Sequence, residues 1–462
     1  MRLHAFTALI LLSVATLFTG GPSWAADNAP AGRQPNIVVV MADDFGYECV
    51  AANGGESYQT PNLDQLATSG VRFTHCHVQP LCTPTRVQLM TGQYNVRNYF
   101  NFGTLPRQET TFANRLKKAG YATGICGKWQ LGRETDSPQH FGFDEACLWQ
   151  HTRRPPRFAN PGLEYNGVAK DFHNGEYGPQ LINDFALEFV TKHKDRPFLL
   201  YYPMMLTHNP FQPTPDSADW DPKTMGEKEK QNPKYFADMV TYMDKMVGRL
   251  VAKLDELKIR DNTLLIFIGD NGTNSGITSK FQGQDYRGGK GTTTARGTHV
   301  PLIVSWPATI KSGKVDNSLI SSTDVLPTIC AAAGAKIAGP LDGVSFLPQL
   351  RGEKGQPREW LYCWYSPRQQ QNLAVKECAF NQHYKLYRTG EFFDLQADPF
   401  EQKPLERSSL TERGRAQAAA LQKVLDQFTN ARPAQLDRKF QASGGGDETP
   451  KKKNKNKQQQ DE

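Results

Sequence analysis

Six short stretches carry residues whose types could do chemistry together. "MADDFG" sets the acids Asp43 and Asp44 side by side, and "IGDNGT" sets Asp270 beside Asn271. Two adjacent carboxylates repel unless a cation lies between them. Three carboxylates and an amide are hard oxygen ligands, a set that suits Ca²⁺ or Mg²⁺ and not zinc. "GKWQLG" supplies Lys128, "LTHNP" supplies His208, and "RGGKGTTT" supplies Lys290 inside a Gly-rich turn where backbone can approach an anion. Each has a plainer reading taken singly: an Asx turn, a solvated lysine, a structural histidine. Together they suit metal-assisted hydrolysis of an anionic ester, a phosphate or a sulfate. "LCTPTRVQLMTG" adds Cys82, two residues before Pro84 and four before Arg86. That cysteine is open to three readings: a disulfide partner, a nucleophile, or the precursor of one.

These residues need a scaffold that brings them to one edge. Continuous apolar runs beginning at Asn36, Tyr121, Pro197, Thr263 and Val300 read as strands covered on both faces. Helical patterns lie between them: "TPNLDQLATSG" with an N-cap at Thr60 and Gly70 at its end, "TFANRLKKAG" closing on Gly120, and a long amphipathic stretch from Tyr235. The alternation predicts an α/β fold with a large, mostly parallel sheet flanked by helices. Ligands of such sheets sit beyond the carboxyl ends of the strands, and the acids, Lys128 and His208 follow strand runs. After about Ser345 the pattern changes. "EWLYCWY", "LAVKECAF", "HYKLYRTG" and "EFFDLQADPFEQ" predict a smaller C-terminal subdomain with an antiparallel sheet, followed by the helix "TERGRAQAAALQKVLDQF". The expected organisation is a catalytic domain over 34–345, a subdomain over 346–435 and a disordered low-complexity tail over 443–462.

Composition narrows the class. The chain has 462 residues and a net charge of +7, with much of the lysine in the closing "PKKKNKNKQQQDE". Without a basic stripe interleaved with aromatics, nucleic acid is not an expected partner. Arg2, the apolar stretch Phe6 to Phe18 and Ser23-Trp24-Ala25 predict a signal peptide over residues 1–25, cleaved near Ala25. The apolar stretch falls short of the roughly 20 residues a membrane span needs, so export to the periplasm or medium is expected, without stable membrane insertion. The eight cysteines are scattered, and no C-x-x-C pair suggests zinc. Cys363 and Cys378 could be bridged across a hairpin, but spacing alone does not establish connectivity.

The Cys82-x-Pro84-x-Arg86 spacing resembles the signature of the type I sulfatases, formylglycine-dependent enzymes of the alkaline phosphatase superfamily. The order of "NIVVVMADDFG", "GYATGICGKWQLG", "HFGFDE", "THNPF", "IGDNGT", "RGGKGTTT", "HVPLIVSWP" and "EFFDLQADPFEQ" agrees, so the resemblance runs from Asn36 to about Leu405. It implies that Asp43, Asp44, Asp270 and Asn271 are calcium ligands. It implies that Cys82 is oxidised to formylglycine by a maturation enzyme during export, with Arg86 bracing it. Lys128 and Lys290 then hold sulfate oxygens, and His208 lies near the leaving-group oxygen. In that scheme the aldehyde hydrates to a diol, one hydroxyl attacks sulfur, and loss of a proton from the other expels sulfate. Cys82 becomes a precursor, and the implied activity is sulfate-ester hydrolysis on a sulfated carbohydrate or an aryl sulfate.

The chain also departs from the family pattern. Gln130 stands where the family has a histidine that takes the proton in the collapse step, and an amide cannot accept a proton. Another group, such as His151, or water would then serve. Thr85 replaces the usual Ser. Ala295 and Arg296 replace the common Glu-Gly-Gly, with Arg296 read either as a rim cation or as a structural swap. Arg153, Arg154 and Arg157 in "HTRRPPRF" read as a solvated basic loop, with contact to an acidic sugar as the alternative. Two competing functions remain at this level: a phosphate or phosphonate ester hydrolase of the same superfamily, and a non-catalytic sulfoglycan-binding relative.

Overall fold

Ten strands build the main sheet: β1 (Asn36–Ala42), β2 (Val71–His77), β3 (Ala122–Lys128), β4 (Glu145–Trp149), β5 (Gly162–Tyr165), β6 (Val168–Asp171), β7 (Phe198–Pro203), β8 (Thr263–Gly269), and, after the hairpin β9 (Thr278–Phe281) and β10 (Gln284–Arg287), β11 (Leu302–Ser305) and β12 (Lys314–Ser321). The computed structural model describes residues 34–221, 223, 231–311, 313–369 and 373–442. The expected signal peptide and C-terminal tail lie outside the described residues.

The sheet order is β12-β2-β11-β8-β1-β7-β3-β4-β5-β6. The central block β8-β1-β7-β3-β4 is parallel throughout. The Val300 run is a partial exception to the expectation: its strand starts at Leu302 and runs antiparallel to both β8 and β2. Val71–His77 was not among the expected strands, because its buried and half-buried residues alternate instead of forming a continuous apolar run.

Residues of β1 alternate between two cores. Ile37, Val39 and Met41 pack into one layer, while Val38, Val40 and Ala42 pack into the other. That division explains an unbroken apolar run in a strand with helices on both faces. The helix Pro61–Ser69 forms where expected, but Thr60 does not cap it. Asp244, from the helix Phe236–Glu256, instead accepts hydrogen bonds from the backbone N–H groups of Asn62 and Leu63 at 3.0 and 2.9 Å. The Thr60 hydroxyl is committed to Asp64 and to the Ala51 N–H. The helix Phe112–Lys118 closes at Gly120 as expected, where the Gly120 N–H donates to the Lys117 carbonyl at 3.0 Å, and it starts on a capping box between Thr111 and Asn114.

A separate antiparallel sheet follows, in the order β13 (Leu361–Tyr365), β14 (Lys376–Phe380), β15 (Tyr384–Tyr387) and β16 (Phe392–Asp394). The helix Glu412–Gln427 packs on β14 and β15. One face of this sheet forms a small apolar cluster with Leu81 and Leu319. The C-terminal sheet therefore supports the residue immediately before Cys82.

Candidate active site

The carboxyl ends of neighbouring parallel strands deliver most of the site. β1 ends into Asp43 and Asp44, β8 into Asp270 and Asn271, and Lys128 is the last residue of β3. His208 follows β7 by a short loop. Cys82 begins the helix Cys82–Thr91, whose first turn tolerates Pro84. Arg86 lies four residues on, one turn along the same helical face.

The nine expected residues converge. Each of three cations sits on one of three buried carboxylates: Lys128 on Asp43 at 2.8 Å, Lys290 on Asp44 at 2.9 Å, and Arg86 on Asp270 at 3.1 Å. Arg86 also donates to the Lys128 carbonyl at 3.0 Å, tying the Cys82 helix to the end of β3. Asp44 has a positive φ of 57° and accepts from Asn271 Nδ2 at 2.9 Å, while its own N–H donates to Asp270 at 3.0 Å. The left-handed turn at Asp44 lets consecutive acids address the same space.

The electrostatics follow from this crowding. Burial alone would raise Asp43, but Lys128, His208 and Arg86 outweigh it and hold its carboxyl well below the usual range. Burial and Lys290 act on Asp44 with the same net result. Asp270 goes the other way: burial and the Asp43 charge push it well above the ordinary carboxylate range. His208 is depressed to about 3 by burial and the Lys290 ammonium, so its imidazole rests neutral. Burial raises the Cys82 thiol above its ordinary value, which keeps it a thiol and a poor nucleophile.

The donor set fits a hard cation. Asp43 Oδ1 and Asn271 Oδ1 are buried acceptors without a hydrogen-bond partner. Such atoms are costly unless a ligand satisfies them. Ligand atoms of Asp43, Asp44 and His208 lie within 4.8 Å of one another, as do those of Asp43, Cys82 and Asp270. Residue 82 therefore faces the acids.

Comparisons with known proteins decide the family. Residues 35–335 match the sulfatase family, and residues 292–429 match the family described as N-sulphoglucosamine sulphohydrolase, C-terminal. The chain belongs to the sulfatase family. It is similar to human arylsulfatase A, 32% identical over 419 residues that cover 79% of this chain and 78% of that protein. It is also similar to the N-acetylgalactosamine-6-O-sulfatase of Bacteroides thetaiotaomicron, 29% identical, covering 72% of this chain and 80% of that one. Among solved structures, Ps i-CgsB in complex with k-i-k-neocarrahexaose superposes with a TM-score of 0.73 at 26% identity, covering 87% of this chain and 94% of that chain. The sulfatase is thus a sulfuric ester hydrolase by family and fold.

Several finer expectations for the sulfatase are now placed. Gln130 does sit at residue 82: its Oε1 accepts from the Cys82 thiol at 2.9 Å. His151 is engaged elsewhere, with Nδ1 at 3.1 Å from Glu164 and Nε2 at 2.9 Å from the Glu134 carbonyl. Arg296 lies 3.6 Å above the Phe400 ring and 5.6 Å from that of Tyr286, an aromatic clamp that favours the structural reading. The solvated-loop reading is corrected for Arg157. Its side chain is buried, lies 4.2 Å from the Trp149 ring, and brings NH1 to 3.0 Å from His208 Nδ1. Arg153 does pair at the surface, with Asp171. The sequence singled out Arg157 with its neighbouring arginines but favoured the solvated loop for all three, because the arginine repeat does not show which one turns inward.

Proposed function

We propose that this sulfatase is exported and hydrolyses sulfate esters of carbohydrate, using formylglycine made from Cys82 and a Ca²⁺ held by Asp43, Asp44, Asp270 and Asn271. The observation that carries the reading is that Cys82, Asp43 and Asp270 share one buried space, with both site lysines on its acids. Ca²⁺, when bound, supplies fixed positive charge that acidifies a nearby hydroxyl and offsets charge on the sulfate. Formylglycine, once formed, would as its hydrate offer that hydroxyl and a second one whose loss of a proton would expel sulfate.

The remaining roles belong to this chain's own side chains. Arg86 donates to Asp270 and to the Lys128 carbonyl, and so fixes the start of the Cys82 helix against β3. Lys128 and Lys290 offer ammonium groups to sulfate oxygens in a site with little water to screen them. Lys290 Nζ lies 3.2 Å from His208 Nε2, so the two hold between them a proton suited to the departing alcohol. His208 Nδ1 lies 2.7 Å from the Asn209 carbonyl, a contact that fixes the ring. Gln130 accepts a hydrogen bond from residue 82 but cannot take its proton. Arg157 places a positive charge on the side of His208 away from Lys290.

Carbohydrate is favoured as substrate by the company the chain keeps: the relative named as an N-acetylgalactosamine-6-O-sulfatase, and the similar structure solved with a neocarrahexaose. Export is supported by the N-terminal pattern ending near Ala25. We further propose the division into a catalytic domain over 34–345 and a subdomain over 346–435.

The test is the mass of the tryptic peptide Phe73–Arg86 from protein made in a host with the maturation machinery, alongside sulfate release from a panel of sulfated monosaccharides. An aldehyde in place of the Cys82 thiol, with turnover, supports the reading. An unmodified thiol in that host overturns the formylglycine chemistry.

A further inference from the structure

Eight buried cysteines are all thiols in the structure, and seven lie outside the proposed chemistry. Their surroundings separate them. Cys49 lies against Thr273 and Glu48, and Cys76 and Cys330 are enclosed in the main apolar core. Cys126 and Cys147 are register partners in the parallel pair β3–β4, yet the Cys147 thiol engages Tyr165. Cys363 and Cys378 differ from all of these. They stand directly opposite each other in the antiparallel pair β13–β14, both thiols belong to the same apolar cluster, and each is within hydrogen-bond reach of the other.

Directly opposed residues of antiparallel strands have Cα atoms about 4.5–5.5 Å apart, inside the range a disulfide spans. Side chains of such a pair project from the same face of the sheet, so no backbone movement is needed to join them. The neighbourhood also favours the thiolate form at Cys378. Lys385, whose Nζ lies 2.8 Å from Glu401, sits beside Cys378. Burial raises the Cys378 thiol, but its contact with Cys363 and the Lys385 charge outweigh this and leave it below its ordinary value.

We propose that Cys363 and Cys378 form an oxidisable dithiol that closes to a cross-strand disulfide by exchange with a disulfide oxidant, such as oxidised glutathione or an oxidoreductase disulfide. The Cys378 thiolate attacks one sulfur of the oxidant, expelling a thiol and forming a mixed disulfide. Cys363, giving up its proton, then attacks Cys378 Sγ and expels the second thiol. Two protein S–H bonds are lost, one S–S bond is made, and the oxidant is reduced to two thiols.

The position gives the bond a consequence. Cys363 Sγ lies 3.6 Å from Gln79 Oε1, and Leu81 belongs to the same cluster as the two sulfurs. Gln79 in turn is held through Thr85, on the Cys82 helix. A disulfide here pins the sheet on which the start of that helix rests. The proposal stands on sheet register and does not depend on the formylglycine reading.

The test is made on full-length protein purified from an exporting host and then incubated with oxidised glutathione. N-ethylmaleimide is added in denaturant, and the tryptic digest is weighed without reduction. The expected result is a cross-linked pair, Glu359–Arg368 with Glu377–Lys385, lighter by two hydrogens than the sum of its parts, with Cys126 and Cys147 alkylated. Cys363→Ser should trap Cys378 as an unresolved mixed disulfide with glutathione, give no cross-linked pair, and lower the thermal midpoint relative to the oxidised parent. Alkylation of both Cys363 and Cys378 in the incubated parent overturns the proposal, as does a glutathione adduct that fails to resolve. The mass of the Phe73–Arg86 peptide, read from the same digest, reports separately on Cys82.

Discussion

At the level of single side chains, the site is a set of opposite charges packed where water is scarce, so small substitutions should have large effects. Lys290→Ala removes a charge from the sulfate side and from His208 together. It should lower kcat by about 10²–10³-fold, in line with the loss of one preorganised electrostatic partner. Gln130→His places a proton acceptor beside residue 82. If sulfate release limits turnover, kcat should rise, and a pre-steady-state burst of alcohol should shrink. Unchanged kcat and burst would show that water already performs the step without limiting it. Arg157→Lys keeps the charge but loses the flat guanidinium face over Trp149. It should raise KM for substrates carrying a second anionic group more than for a simple aryl sulfate. Equal effects on both would remove Arg157 from substrate selection.

At the level of elements, the fold works by ending its strands at one edge and tying its helices there. Asp244 illustrates the second task. It is buried and closes the N-terminus of a helix distant in sequence, accepting from Asn62 and Leu63. Asp244→Ala should cost about 1–2 kcal/mol, read from urea unfolding, because it leaves backbone donors of the Pro61–Ser69 helix unsatisfied. The sequence suggested Thr60 for that task, since local spacing cannot show a cap that arrives from another helix. The strands tell a complementary story. β1, β3, β7 and β8 were legible because burial on both faces forces unbroken apolar runs. β2 and β12 were not, since they lie on the flank of the sheet: β2 mixes buried with half-buried positions and β12 adds exposed ones.

For the whole molecule, two linkages should be measurable. Anything that binds the native acids should stabilise the fold, by about 2.7 kcal/mol at a ligand concentration of 100 Kd. Chelation should therefore lower the thermal midpoint and abolish sulfate release, and added Ca²⁺ should restore both. The second linkage is to pH, through the half-buried rings of His77 and His299, stacked 4.9 Å apart. Burial and neighbouring imidazoles push His77 well below its ordinary value, and burial pushes His299 down to about 4. Unfolded imidazoles titrate near 6.5, so the unfolded chain binds more protons between about pH 6.5 and 4. Native stability from these groups is thus fully present above pH 6.5 and is lost on acidification through that window. Urea midpoints measured from pH 7 to pH 5 should fall, and His299→Asn should flatten the fall.

The sequence by itself determined the chemistry available: which acids, lysines, cysteine and histidine exist, and that the acids, Lys128 and His208 follow apolar runs at strand ends. It did so because residue type sets ligand hardness and charge, and because two-sided burial writes itself into composition. Tertiary structure alone decided the partnerships. Lys128 meets Asp43 and Arg86 meets Asp270 across large separations in the chain. Arg157 turns inward onto Trp149 and His208, and His151 is committed to Glu164. Cys363 meets Cys378 through the register of β13 and β14. Each of these depends on which neighbour pays the least desolvation for a buried group, and that competition is settled only when distant segments are packed together.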